Sequence, residues 1–293
     1  CMATLSDWVE GARPRTLPAA AAPVLAGSAT ALAEGQFHLV MALLAFVVAL
    51  ALQVGVNYAN DYSDGIRGTD EVRVGPMRLV GSGAARPGQV RAAAFASFGV
   101  AALAGLALVV ATQHWWLLAV GVACIVAAWF YTGGEHPYGY AGLGEVFVFV
   151  FFGLVAVCGT TYVMLDRVTW ATLLAAVGIG SLACALLVAN NLRDVHTDVH
   201  VGKRTLATRL GDARTRHFYV ALVAVAVLCV VGVAALTTWW ALLGLAMLVF
   251  AVGVSRSVLG GASGLALIPV LKHTGFAELA CGLGLLVGIW IGA

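Results

Sequence analysis

The chain has 293 residues, of which 61% are apolar and only 10% charged, with a net charge of +2 and a mean hydropathy of +0.96. That balance excludes a water-soluble globular body and leaves no strongly basic surface for nucleic acid. An integral membrane protein remains, because a helix needs about 20 apolar residues to cross a hydrocarbon core of about 30 Å and such runs recur from end to end.

Nine apolar runs are expected to span, near residues 17–33, 38–60, 92–111, 115–132, 144–164, 170–190, 217–236, 239–256 and 275–292. Barrel strands would alternate apolar and polar residues in segments of about ten, whereas these runs are continuous and rich in Ala, Leu, Val and Gly. The expected fold class is therefore all-α, as one membrane domain over residues 1–293. The first run follows Arg13 and Arg15 but leads into no soluble mature domain, so it reads as the first helix and not as a signal peptide.

Nine spans put the N-terminus and the connections after the second, fourth, sixth and eighth helices on one side. Fifteen of the sixteen Lys and Arg residues fall on that side and only Arg167 falls opposite. The positive-inside bias makes it the cytoplasmic face of the cell inner membrane, with the C-terminus outside. The six cysteines lack CxxC spacing and five lie inside expected spans, so they read as small apolar packers. The glycine pairs Gly99 and Gly105, and Gly282 and Gly288, read as close helix packing.

Charge concentrates in two cytoplasmic cap loops, 61–91 and 191–216. In "NYANDYSDGIRGTD", Asn57, Asp61 and Asp64 fall at i, i+4 and i+7, so a continuing helix sets them on one face, with Asn60 and Asp70 nearby. In "NNLRDVHTDVHVGKRTLATRLGDARTR", Asn191, Asp194 and Asp198 fall at i, i+3 and i+7, again one face. The recurrence four spans apart suggests two pseudo-equivalent four-helix halves plus one helix around a central cleft.

Stacked carboxylates repel each other, so a cation should compensate them, and hard oxygen ligands suit Mg²⁺. The same loops carry Arg67, Arg73, Arg78, Arg193, Lys203 and Arg204, which suit an anion. Mg²⁺ bridging the acids to a diphosphate satisfies both signs. The bland alternative is a solvated loop whose Asp and Arg pair with each other, at about 0–1 kcal/mol per pair. His196 and His200 sit at about 200° and 240° around a helix from Asp194, while Asp198 sits at about 40°, so the histidines face away from the acids.

"NDYSDGIRGTD" and "NNLRDVHTD" together resemble the paired aspartate-rich motifs of the UbiA superfamily of intramembrane prenyltransferases. "ARPRTLPAAAAPVLAG", "RVGPMRLVGSG" and "WFYTGGEHPYGYAGLGE" add a likeness to its menaquinone-pathway branch, in an actinobacterial style, from about residue 8 to the end. The gap from Asp64 to Asp70 exceeds the three-residue spacer of many relatives. The resemblance implies transfer of a polyprenyl group from polyprenyl diphosphate to 1,4-dihydroxy-2-naphthoate, with loss of diphosphate and CO₂. It places the metal at Asn57, Asp61, Asp64, Asp194 and Asp198, and the diphosphate at Arg67, Arg78, Lys203 and Arg204. Asn60 and Asn191 join the substrate site.

Aromatic faces stabilise an allylic cation, and Tyr62, Tyr131 and Tyr138 are the candidates, against a plain role as interfacial belt residues. A sibling enzyme with another acceptor, such as 4-hydroxybenzoate, is the nearest alternative. An ion-coupled transporter is the alternative from another class, but its acids should lie at the membrane midplane and these lie at helix ends. The DGxxAR signature of CDP-alcohol phosphotransferases is absent. Beyond substrates and membrane lipid, no obligate protein partner is indicated.

Overall fold

The computed structural model describes residues 3–68, 77–135, 137–200 and 204–293, with the backbone alone at 196, 197, 199 and 200. Among the described residues all regular structure is helical. A short helix α1 (Leu5–Gly11), opened by a Thr4–Asp7 capping box, leads through a 3₁₀ turn (Pro14–Thr16) into α2 (Pro18–Ala33). Then follow α3 (Leu39–Arg67), α4 (Pro87–Thr112), α5 (Leu117–Phe130), α6 (Gly144–Leu165) and α7 (Trp170–His200). After the short α8 (Leu206–Leu210) come α9 (Asp212–Leu236), α10 (Trp239–Leu259) and α11 (Gly264–Gly292).

Seven of these (α3, α4, α6, α7, α9, α10 and α11) are long and apolar enough to cross a membrane, and the bent pair Leu5–Thr16 and Pro18–Ala33 makes an eighth candidate. Helix α5, over the expected run 115–132, has only 14 residues, or about 21 Å at 1.5 Å per residue, which is short of the usual core. The last span begins near Gly264 and not at residue 275, because a 3₁₀ turn runs into the helix there.

Helix α7 is the hub, packing on α9, α6, α11 and α2, while α2 and α11 pack along each other. Close approach explains Gly282 and Gly288, as expected: a Cβ on Gly282 would sit 2.6 Å from the Ala22 carbonyl, and one on Gly288 would press into Trp240. The pair Gly99 and Gly105 corrects that expectation. Gly99 faces open space, and Gly105 meets only Val48 at 4.0 Å, so neither makes a tight crossing.

Both motif helices run past the apolar zone without a break, which sets their polar faces at one end of the bundle. Gly68, at φ +70°, stops α3 just after the motif and returns its N–H to the Asp64 and Gly65 carbonyls. The opposite end carries the Arg167–Glu34 ion pair at 2.6 Å and the His114–Asp166 contact at 3.2 Å.

Candidate active site

A cavity of about 1260 Å³ opens between the motif helices. Its apolar walls come from α2 to α6, including Val48, Leu108, Gly121, Phe152 and Val163. Its polar end gathers Asn57, Asn60, Asp64, Arg78 and Asn191, five residues that the sequence singles out, and Tyr131 and Tyr138 line it as well.

The inward face of α3 is Asn57, Asn60 and Asp64, at i, i+3 and i+7. Asn191, Asp194 and Asp198 have that same spacing on α7, so in sequence register Asn60 corresponds to Asp194 and Asp64 to Asp198. Asp61 lies at the flank, about 60° round from the centre of that face. Its two oxygens accept the N–H groups of Leu79 (2.8 Å) and Val80 (2.9 Å), so it clamps the loop and does not line the cavity. Tyr62 is a correction. At about 140° from Asn57 it points away from the cavity and packs half-buried on Trp129 at 6.0 Å, with Arg91 over its ring.

Asp64 accepts from the Tyr140 hydroxyl (2.7 Å) and pairs with Arg78 (3.4 Å). Asp194, buried behind the cavity wall, holds Arg193 in a fork of two 2.7 Å bonds, and Arg193 itself lines the cavity. Asp198 is buried nearby on α7 but does not line the cavity. Arg67 is also turned aside, donating to the Thr132 and Gly134 carbonyls and lying over the Tyr140 ring. Arg204 is exposed and meets Tyr140 only through its backbone N–H. Lys203, Asp70 and Arg73 lie outside the described residues, as do the His196 and His200 side chains.

Residues that the spacing did not reveal also hold the site. The Asn57 amide donates to the Ala12 carbonyl (2.8 Å) and the Thr16 hydroxyl (3.0 Å), while Thr16 donates on to the Arg13 carbonyl (2.9 Å). Arg13 takes a left-handed backbone at φ 55°, an unusual conformation for a residue with a Cβ, which turns these groups toward α3. Thr132 donates to the Asn60 oxygen (2.7 Å), and buried Glu145 accepts from the Asn191 amide (2.9 Å). The Tyr138 hydroxyl donates to the Ala127 carbonyl (2.7 Å) and its ring stacks on Phe147, and burial pushes its pKa up, so it stays neutral.

The donor set is hard oxygen from amides and carboxylates, which fits Mg²⁺. Among the described residues no three His, Cys, Asp or Glu side chains approach closely enough to hold an ion by themselves.

The comparisons agree with this geometry. The chain is 54% identical over 285 residues to a 1,4-dihydroxy-2-naphthoate octaprenyltransferase of Mycobacterium tuberculosis, covering 96% of each chain. It is 36% identical over 292 residues to the Escherichia coli protein of the same name, covering 97% of this chain and 95% of that one. Among solved structures it resembles an apo UbiA homolog from Aeropyrum pernix K1, with a TM-score of 0.71 at 15% identity over 94% of this chain and 97% of that one. It also resembles a UbiA homolog from Archaeoglobus fulgidus bound to GPP and Mg²⁺, with a TM-score of 0.65 at 13% identity over 96% and 99%. The model of the UbiA prenyltransferase family matches residues 20–266, and the chain belongs to that family.

Proposed function

We propose that the chain transfers a polyprenyl group from polyprenyl diphosphate to 1,4-dihydroxy-2-naphthoate, releasing diphosphate and CO₂ and yielding demethylmenaquinol. One observation carries this reading: a single large cavity has an apolar body for an isoprenoid tail and a polar end where Asn57, Asn60, Asp64, Arg78 and Asn191 meet. The names of the mycobacterial and enterobacterial relatives select the acceptor.

Asp64 with Asn57 and Asn60 on α3, and Asp194 and Asp198 with Asn191 on α7, are proposed as two separate sets of one and two carboxylates that would hold Mg²⁺ against the diphosphate and so offset charge developing on it as it leaves. Arg78 and Arg193 are already in the wall and take the remaining diphosphate oxygens, with Lys203 as a further contributor from its loop. Asp61 keeps residues 79 and 80 in place, which positions Arg78. The ring faces of Tyr131 and Tyr138 flank the allylic carbon and favour its positive charge. The electron-rich naphthoate ring attacks that carbon, and the ring carboxylate then leaves as CO₂, its C–C electron pair returning to the ring and restoring the quinol with no net loss of a proton.

Nine spans are proposed, with α5 as the short ninth. The N-terminus and the motif ends would then face the cytoplasm and the C-terminus the outside, in agreement with Arg167 and Glu34 pairing at the far end. The test of the reaction is purified protein in nanodiscs with Mg²⁺, a polyprenyl diphosphate and either 1,4-dihydroxy-2-naphthoate or 4-hydroxybenzoate. Mass spectrometry should find prenylated naphthol. Product from 4-hydroxybenzoate alone would move the reading to a sibling, and no product with either acceptor would overturn it.

A further inference from the structure

We infer that Glu145 is a positioning residue that fixes the amide orientation of Asn191, the α7 counterpart of what Ala12 and Thr16 do for Asn57. This rests on the proposed Mg²⁺–diphosphate site. An asparagine offers two unlike ends, an NH₂ that only donates and an oxygen that only accepts, and only the oxygen suits a cation. Which end faces the cavity depends on what holds the other.

On α3 the choice is made by acceptors behind the helix. The Ala12 carbonyl and Thr16 oxygen take the Asn57 NH₂, which leaves Oδ1 as its accepting end, reached at 3.5 Å by Gln53 Nε2, on a residue that lines the cavity. On α7 the carboxylate of Glu145, at the start of α6, accepts from Asn191 Nδ2 at 2.9 Å. Both residues are buried, at 6% exposure each, so water is a poor substitute acceptor. A carboxylate accepts only, so the amide is held with Oδ1 as its free polar end, in the wall of the same cavity. Glu145 does not line the cavity and acts only through Asn191. Its place is fixed by its helix: the Glu145 carbonyl receives the Cys184 thiol at 3.1 Å, and a Cβ on neighbouring Gly144 would sit 3.2 Å from Leu187. Two unrelated acceptors thus give the two halves the same outcome.

The test uses Mn²⁺ with inorganic pyrophosphate as the probe, followed by the loss of free Mn²⁺ signal in electron paramagnetic resonance, on purified full-length protein without turnover. Glu145→Met and Glu145→Ala both remove the acceptor, one keeping bulk and one not, so a single folded variant suffices. Either should weaken Mn²⁺–pyrophosphate binding about 10- to 100-fold, the usual cost of losing such a supporting partner. Glu145→Gln keeps an acceptor oxygen of the same reach and should recover most of the affinity. Wild-type affinity in the Met or Ala variant, with or without a lowered Tm, overturns the inference while leaving the proposed reaction intact. A wild-type protein that binds no Mn²⁺–pyrophosphate removes the metal site and the inference with it.

Discussion

On α3 the polar motif is tied down by distant backbone, with Asn57 on Ala12, Asp61 on Leu79 and Val80, and Tyr58 donating to the Trp8 carbonyl. On α7 the matching motif is held by side-chain charge, with Asn191 on Glu145 and Asp194 on its neighbour Arg193. Burial accounts for the difference, since 72% of the α7 span is inside the protein against 22% of the α3 span. A central helix is positioned by packing on several sides and needs partners only for its polar atoms. Helix α3 is half-buried over its first part and lines the cavity with much of its length, and its site end is tied to the chain on either side. The two halves share a spacing and a proposed job, but they fail in different ways when disturbed.

The largest effect should come from an agent that strikes both halves alike. EDTA should abolish turnover and added Mg²⁺ should restore it, as followed by product formation in nanodiscs. Full activity in metal-free buffer would leave the acids with only structural work.

Next come the acids themselves. Asp64→Asn and Asp194→Asn preserve size while removing an anionic ligand, and each should lower kcat by about 10²- to 10³-fold, the scale seen when one preorganised electrostatic partner is lost. Asp61→Asn sharpens the comparison, because its oxygens meet two backbone amides at 1% exposure. An amide can accept only one of those bonds and turns an NH₂ toward the other. The expected loss is about 1–3 kcal/mol of local stability, read as earlier proteolysis between residues 77 and 91, with a smaller drop in kcat than at Asp64. A kcat loss equal to that of Asp64→Asn, with the loop intact, would return Asp61 to the metal.

Arg78→Ala removes a contact to a diphosphate that is present in the ground state as well. KM for the prenyl diphosphate should rise about 10- to 100-fold, the equivalent of a charged hydrogen bond of about 1.5–3 kcal/mol, with kcat changing less. The smallest effect is topological. A cysteine at Ser82, in a background without native cysteines, should react with impermeant reagents from the cytoplasmic side only, and labelling of intact cells would reverse the threading.

The helices and both motifs were legible because they follow local periodicities. A run of apolar residues and a one-face spacing need no knowledge of the rest of the chain, although on α3 the spacing read as i, i+4, i+7 gives Asp61 the place that Asn60 takes in the cavity wall. What stayed hidden depends on contacts between distant segments. Tyr140 reaches Asp64 across 76 residues, Glu145 reaches Asn191 across 46, and Thr16 meets Asn57 across 41. A signal did exist for Glu145, since a lone carboxylate at the start of an apolar span is costly unless paired. Tyr62, named only as an aromatic face, sits at an angle on the helix that turns its ring onto Trp129 and away from the cavity. The length of α5 was overestimated because the tryptophans at 115 and 116 extend the apolar run, while the helix itself starts only at Leu117.

The central claim is that the two helix ends act on one diphosphate, and a double-mutant cycle tests it most directly. Steady-state kcat/KM would be measured for Asp64→Asn, Asp198→Asn and the pair, in folded, monodisperse protein. Residues serving one bound group behave as a unit, so the double variant should lose little more than the worse single variant. Losses that multiply would mean that the α3 and α7 motifs work independently, and would contradict a shared site.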